Sequence, residues 1–90
     1  MSRTIWKYPL IITDRQTIPV PVFSTPLSVQ FQQGVLCLWV EVDPDIELEQ
    51  RMIHVYGTGN PMATKVIQQY VGTAQEPDRQ LVWHVYWVGA

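Results

Sequence analysis

LSVQFQQGVLCLWVEV, residues 27 to 42, is the stretch that decides the fold. A two-residue primed turn at its centre needs positive φ at Gln33 and Gly34, which glycine adopts readily and Gln33 would have to tolerate. A β-hairpin turning there pairs Gln32 with Val35, Phe31 with Leu36, Val29 with Leu38 and Leu27 with Val40. One face is then wholly apolar, comprising Leu27, Val29, Phe31, Leu36, Leu38 and Val40. The opposite face is mostly polar, comprising Ser28, Gln30, Gln32, Cys37, Trp39 and Glu41. Because a slip of one residue would mix the two sets, the pattern favours this register.

Apolar alternation predicts further short strands on both sides of the hairpin. They are Thr4 to Thr13, Thr17 to Phe23, Met52 to Tyr56, Val66 to Ala74 and Gln80 to Val88. Turns or loops are predicted at Asp14 to Gln16, Asp43 to Arg51 and Gln75 to Arg79, a bulge at Gly72, and one helical turn over Pro61 to Lys65 after an Asn60 N-cap.

Pro19 and Pro21 mark a sheet edge. The last strand, apolar on both faces, is predicted to be central or covered by a partner. We therefore expect one all-β domain over residues 1 to 90, an antiparallel sandwich or partly open barrel of about six or seven strands.

The composition points to a protein that binds a partner. Hydrophobic residues make up 47% of the chain and charged residues 16%, against about 25% charged in an average soluble domain. Four Trp and four Tyr are too many for so small a domain to bury completely, so an exposed aromatic patch is expected. The prediction is a homo-oligomer whose interface draws on Trp39, Trp83, Trp87 and Tyr86. The net charge of −2 and the scattered basic residues argue against binding to a nucleic-acid backbone.

Targeting signals and covalent cross-links are not expected. Cys37 is the single cysteine, which excludes an intrachain disulfide and a thiolate metal cluster. Arg3 and Lys7 are not followed by the apolar run of a signal peptide, and no stretch approaches the roughly 18 apolar residues of a membrane span. The expected location is the cytoplasm.

Two patterns suggest catalysis or metal binding, and both have simpler interpretations. Four alternating acids could ligate calcium, but the glycine and the ligand order of an EF-hand loop are missing, so a solvated loop is favoured. These acids are Asp43, Asp45, Glu47 and Glu49. Cys37 with His54 or His84 could form a nucleophile–base pair, but a lone cysteine in a strand is usually a small apolar residue. The sequence therefore predicts no catalytic residue, no metal site and no cofactor: the protein is not expected to be an enzyme.

The turn Gly57-Thr58-Gly59-Asn60-Pro61 is a candidate anion site. Free backbone N–H groups at such a turn could hold a phosphate, and glycines allow close approach. The third glycine of a dinucleotide fingerprint and the lysine of a P-loop are absent, so a purely structural turn is the favoured alternative.

A short internal echo, His54-Val55-Tyr56 and His84-Val85-Tyr86, is the least expected feature. In a strand the His and Tyr of each triplet share a face, so neighbouring strands would bring two imidazoles and two phenols together. Such rings suit a ligand that stacks and forms hydrogen bonds, such as a nucleotide base, and suit a subunit interface equally well. The plainer interpretation is a set of amphipathic rings at a sheet surface. The predicted ligand site lies at a subunit interface and consists of His54, Tyr56, Gly57, Thr58, Gly59, Asn60, His84 and Tyr86, with Trp39 nearby. Arg51 and Lys65 flank the turn in sequence and could add charge, and the direction of the strands decides whether either stays near it.

Five motifs together resemble an uncharacterised family of small phage- and prophage-encoded proteins. They are Thr4-Ile5-Trp6-Lys7-Tyr8-Pro9-Leu10, Cys37-Leu38-Trp39, Tyr56-Gly57-Thr58-Gly59-Asn60-Pro61, Tyr70-Val71-Gly72-Thr73 and Val82-Trp83-His84-Val85. Some members have His where this chain has Asn60, which argues against any scheme that rests on a histidine at the turn. The resemblance implies a host-cell cytoplasmic setting and a counter-defence role, either sequestering a small nucleotide-like host signal or masking a host or phage protein surface. It implies no catalytic residues.

Overall fold

The computed structural model describes residues 2–89, which form seven β-strands and no helix. The strands are β1 (Thr4–Pro9), β2 (Arg15–Pro21), β3 (Thr25–Gln32), β4 (Val35–Val42), β5 (Leu48–Gly57), β6 (Gln68–Gln75) and β7 (Val82–Val88). They build two antiparallel sheets, one of order β1-β4-β3 and one of order β2-β5-β7-β6. The all-β prediction and the expected number of strands are confirmed. Across the described range, no helix is long and apolar enough to cross a membrane.

The hairpin β3–β4 turns where the sequence predicts. Gln33 and Gly34 have φ values of 52° and 80°, the positive values that a type I′ turn requires at both central residues. The pairs Gln32–Val35, Phe31–Leu36 and Val29–Leu38 form as expected.

Leu27 departs from the predicted register. Pro26, not Leu27, lies opposite Val40, because the register shifts between Pro26 and Ser28. Proline cannot donate to the ladder and is tolerated at a bulge. Leu27 is the extra residue of this bulge and is 41% exposed, so its assignment to the apolar face is wrong.

The core is a layer of aliphatic side chains between the two sheets. The Cα atoms span only 15 Å in the thinnest direction, as expected for two sheets packed about 10 Å apart. Both sheets contribute residues that are essentially inaccessible, among them Val20, Leu38, Val40, Ile53 and Val85. Each fully buried side chain of this kind contributes about 1.5–3 kcal/mol, so this layer dominates the stability of the fold.

The two sheets approach each other along both flanks. On one flank β3 and β6 run so close that a Cβ on Gly72 would lie 2.9 Å from Cγ2 of Val29. The predicted irregularity at Gly72 is confirmed, since the β6–β7 register shifts between Tyr70 and Gly72. On the other flank the Tyr8 hydroxyl of β1 donates a hydrogen bond to the Pro19 carbonyl of β2 at 2.8 Å.

Several predicted boundaries need correction, although β2 is an edge strand and β7 is central, as expected. The first strand ends at Pro9 rather than Thr13, and the Gln16 side chain then binds both backbone groups of Ile11 at 3.0 and 2.7 Å. β2 begins at Arg15 rather than Thr17, because Arg15 and Gln16 continue the pairing with the long β5. β5 in turn begins at Leu48 rather than Met52, since its polar residues pair with β2.

The helical turn predicted over Pro61 to Lys65 does not form. The Asn60 N–H donates to the Gly57 carbonyl at 3.0 Å, so Asn60 closes a tight turn instead of capping a helix. Of the residues that follow, Ala63 forms its backbone hydrogen bonds with the side chains of Tyr56 and Gln68, not with a helical neighbour.

Candidate functional site

The two His-Val-Tyr triplets are neighbours in the four-stranded sheet. In the β5–β7 register His54 pairs with Tyr86, Val55 with Val85 and Tyr56 with His84. Val55 and Val85 are 2% and 0% exposed and point into the core. Because side chains alternate along a strand, the histidines and tyrosines all lie on the outer face. The sequence predicts that the two imidazoles and two phenols lie together if the two strands are neighbours, and β5 and β7 are neighbours.

An aromatic row crosses this outer face from β5 to β6. His54 packs against Tyr56 with 5.6 Å between ring centroids, Tyr56 against Tyr86 at 5.5 Å, and Tyr86 against Tyr70 at 5.5 Å. All three contacts are edge-to-face, the geometry that aromatic quadrupoles favour. Tyr70 was not among the predicted site residues, because its proximity depends on the order of the strands. The row gives the sheet a continuous aromatic surface.

The chain crosses this surface between β5 and β6. These strands are separated by β7, so residues 58–67, here called the crossover, must pass over the outer face to connect them. The Ala63 N–H donates to the Tyr56 hydroxyl at 3.3 Å, and Gln68 Nε2 donates to the Ala63 carbonyl at 3.2 Å. Both backbone groups of Ala63 are thus held by side chains of the sheet.

The side chains of His54 and Tyr56 also contact Gln68, the residue that holds the Ala63 carbonyl. His54 Nδ1 lies 2.7 Å from the Tyr56 hydroxyl and 3.1 Å from Gln68 Oε1, and the Tyr56 hydroxyl donates to the same Gln68 oxygen at 3.1 Å. Each ring is only 7% exposed. Buried polar groups need such partners, so this cluster has a clear structural role.

A cleft of about 270 Å³ opens beside the crossover, between the Gly57–Asn60 turn and the aromatic row. Its lining residues are Tyr56, Gly57, Thr58, Gly59, Asn60, Met62, His84 and Tyr86. Every predicted ligand residue except His54 therefore lies at one cleft, and Met62 is the residue that the sequence did not single out. His54 faces a neighbouring cavity of about 230 Å³ on the far side of the crossover, with Asp14, Arg15, Pro61 and Ala63.

His84 sits in a chain of hydroxyl groups at the wall of the cleft. Its Nε2 lies 2.8 Å from Thr58 Oγ1 and its Nδ1 lies 2.9 Å from Thr73 Oγ1. The Tyr70 hydroxyl is 2.6 Å from the same Thr73 oxygen. Since a hydroxyl can donate or accept, this chain can hold either tautomer of the ring. Thr73 was missed because the bulge before Gly72 changes which residue of β6 opposes His84.

Two N–H groups of the turn are not free, contrary to what an anion site at this turn would require. The Thr58 N–H donates to the Val82 carbonyl at 3.3 Å, and the Asn60 N–H donates to the Gly57 carbonyl at 3.0 Å. Gly59 has φ +87°, which accounts for a glycine there. These two donors are therefore not available to an anion, whereas the favoured alternative of a structural turn needs no free donor.

Arg51, which flanks the turn in sequence, is carried away from it by the direction of β5. Its Nη2 forms a 2.6 Å ion pair with Glu49, its Nη1 donates to the Val88 carbonyl at 2.8 Å, and its guanidinium lies 5.0 Å from the ring centroid of Trp87. Lys65 is exposed on the crossover and does not line the cleft.

The tryptophans assigned to an interface differ in exposure. Trp87 is 3% exposed and belongs to the core, where it has little surface to offer a partner. Trp83 is half-buried against the core, and its Nε1 donates to Glu76 Oε1 at 3.3 Å. Trp39 is half-buried on β4. An interface role for Trp39 and Trp83 stays a prediction.

The alternative chemical sites are not assembled. Cys37 is buried on β4 of the other sheet, where its thiol donates to the Val35 carbonyl at 3.5 Å, away from both histidines on β5 and β7. Asp43 is buried rather than solvated, and its Oδ1 accepts a 3.0 Å hydrogen bond from the Asp45 N–H. Within residues 2–89 no group of three or more His, Cys, Asp or Glu is placed to hold a metal ion.

Comparison with known proteins places the chain in a family without assigning an activity. The model of a family described as a domain of unknown function, DUF7352, matches residues 1–89. Neither the curated proteins nor the solved structures yielded a match.

Proposed function

The chain belongs to the DUF7352 family, and we propose that it is a non-enzymatic binding protein that sequesters a small nucleotide-like molecule. The observation that carries this proposal is the pairing of β5 with β7. It places Tyr56, His84 and Tyr86 beside one cleft, together with Thr58 and Asn60.

The cleft offers the two kinds of contact that a base needs. Tyr86 supplies an aromatic surface, and stacking on such a ring contributes about 1–3 kcal/mol per base. Thr58 and Asn60 add groups that donate and accept hydrogen bonds, and His84, whose two ring nitrogens are bound to Thr58 and Thr73, holds the Thr58 hydroxyl in place. A volume of about 270 Å³ is close to the lower end of ordinary ligand pockets, so the occupant is small.

The biological role rests on the family resemblance of the motifs. Small phage proteins that fold alone and carry no enzymatic motif are often inhibitors of host defence, so in this proposal the ligand is a host signal that the protein removes from use. The site of action is the host cytoplasm.

A second copy of the chain completes the site in this proposal. The cleft is open on one side, and exposed apolar residues lie around the crossover and the end of the aromatic row, namely Met62, Ile67 and Tyr70. A homo-oligomer would cover them. Light scattering at high micromolar concentration should show an oligomer, and a strict monomer would remove the interfacial part of the proposal.

The ligand is tested by thermal shift against cyclic and linear nucleotides. A ligand that binds the native state raises the free energy of unfolding by about 2.7 kcal/mol at a hundred times Kd, and the melting temperature rises with it. The shift should disappear in a His84→Ala, Tyr86→Ala double variant. Gln30→Ala, an exposed residue on the other sheet, is the matched control and should keep the shift. Binding that survives in a folded double variant contradicts the site.

A protein-masking role is the second candidate, and Phe23 favours it. Its ring is 76% exposed although its backbone has φ +67°, a conformation that costs a bulky residue about 1–2 kcal/mol. The turn is held by Ser24 Oγ, which donates to the Pro21 carbonyl at 2.6 Å, and by Arg3 Nη2, which donates to the Phe23 carbonyl at 3.2 Å. Exposed aromatic rings are frequent anchors at interfaces. Two results together would support this role. A complex with a host or phage protein should be lost in the Phe23→Ser variant, and the melting temperature of the protein should not respond to nucleotides.

A further inference from the structure

We infer that the cleft reads the base of its ligand and makes no contribution to binding a phosphate. The inference rests on the proposed function and narrows the chemistry of the ligand: a neutral planar heterocycle is the recognised part, so a nucleoside binds as well as its phosphorylated form.

The first argument is charge. Phosphate recognition in proteins relies on Lys and Arg, or on backbone N–H groups directed at the anion. Within residues 2–89 the lining of the cleft contains no Lys or Arg. The cations have other positions: Arg3 pairs with Glu41, Arg51 with Glu49 and Arg79 with Glu76, Lys7 donates to Gln32, Arg15 lines the adjacent cavity, and Lys65 lies exposed on the crossover.

The second argument is the turn. A loop that holds a phosphate presents unpaired N–H groups to it. Here the N–H groups of Thr58 and Asn60 are donated to the carbonyls of Val82 and Gly57. An anion would have to displace these bonds, which stabilise the turn itself. The N–H groups of Thr58 and Asn60 are therefore committed to the fold.

The third argument is the chemistry that remains. Asn60 lines the cleft, and its side chain carries an amide donor beside a carbonyl acceptor, the pair that matches the edge of a base. The Thr58 hydroxyl, whose Oγ1 lies 2.8 Å from His84 Nε2, can form a further hydrogen bond and is a second polar point. Tyr86 supplies a ring at the same cleft. Neutral donors and acceptors beside an aromatic ring are suited to an uncharged heterocycle.

Calorimetric titration of the full chain tests the inference with adenosine, guanosine, cytidine and uridine, each beside its 5′-monophosphate. At least one nucleoside should bind, and its monophosphate should bind within about threefold of it. Raising the salt from about 50 to about 500 mM should leave both affinities unchanged, since no ion pair is screened.

Two variants locate the binding. Asn60→Asp keeps the size of the side chain but replaces the amide donor, and it should weaken the nucleoside by about tenfold. Lys65→Ala is the matched control, because Lys65 is the cation of the crossover, and it should leave both affinities unchanged. Circular dichroism checks that each variant keeps its β-sheet spectrum.

The outcomes separate the inference from the proposed function. A monophosphate that binds more than about tenfold more tightly than its nucleoside, and loses that advantage in salt, would show that phosphate is recognised. That result overturns the inference and leaves a nucleotide-binding function intact. Absence of binding by every nucleoside and every nucleotide would overturn both.

Discussion

Gly57 lies too close to its neighbours to leave room for a side chain. A Cβ built there would lie 3.1 Å from Cζ3 of Trp83 and 2.9 Å from Nδ2 of Asn60. We expect Gly57→Ala to lower the free energy of unfolding by about 1–3 kcal/mol, because the half-buried indole must move. Urea denaturation measures this change. Thr64→Ala, exposed on the crossover, is the control and should change stability by less than about 0.5 kcal/mol. An unchanged urea midpoint in Gly57→Ala would show that the Trp83 indole moves aside without a cost in stability.

Tyr8 gives the fold a dependence on alkaline pH. Burial raises the pKa of the Tyr8 phenol above its ordinary value, and its hydroxyl donates to the Pro19 carbonyl at 2.8 Å. The folded protein therefore holds this proton more tightly than the unfolded chain. The contribution is complete below the unfolded pKa of about 10 and is lost as the pH rises through the folded pKa.

Tyr8→Phe isolates this effect. At neutral pH the variant should be less stable by about 1 kcal/mol, because one hydrogen bond is removed and the Pro19 carbonyl loses its donor. The difference in stability between the two proteins should shrink from about pH 9 to about pH 11, because only the protein with Tyr8 has a titratable group at this position. Urea titrations across that range measure the difference. A constant difference would contradict the assignment.

At the scale of elements, the crossover depends on one glutamine. Gln68 holds the Ala63 carbonyl through Nε2 and accepts a hydrogen bond from Tyr56 through Oε1. Gln68→Ala should lower stability by about 1–2 kcal/mol and raise hydrogen exchange at Ala63 and its neighbours. Gln69→Ala, exposed and next in sequence, is the matched control. Equal exchange in both variants would mean that the crossover is held in some other way.

Local patterns could be predicted from the sequence, and contacts set by strand order could not. Alternation and the Gln33-Gly34 turn correctly predict that Val29 lies opposite Leu38. Both features depend only on residues that are close together in the sequence. The bulge at Leu27 moves one residue out of register, and alternation carries no sign of it.

The candidate site shows the same division. The triplets at 54–56 and 84–86 are visible in sequence, as are the glycines of the turn. The roles of Tyr70 and Thr73 require β6 to lie beside β7, and the anchor between His54 and Gln68 requires the crossover to return over the sheet. Strand order is decided by the packing of the whole sandwich, which periodicity does not encode.

At the scale of the whole molecule, the two sheets differ in how much of the chain they need. The sheet β1-β4-β3 is contained within residues 4 to 42 and includes the local hairpin. The other sheet has β7 between β5 and β6, so its centre is the strand that comes last in sequence. Non-local pairing of this kind is slow, because the chain must close long loops first.

The central position of β7 has a consequence for synthesis on the ribosome. The first sheet can form early on a nascent chain, yet its apolar inner face has no complete partner until residues 82–88 emerge. Ribosome-bound chains exposed only as far as Gln75 should therefore be cut readily by protease, whereas chains exposed through Gly89 should resist. Equal resistance would mean that the sandwich closes without its central strand. Until residues 82–88 emerge, the apolar inner face of the first sheet is exposed and prone to aggregation, and chaperones would have to shield it.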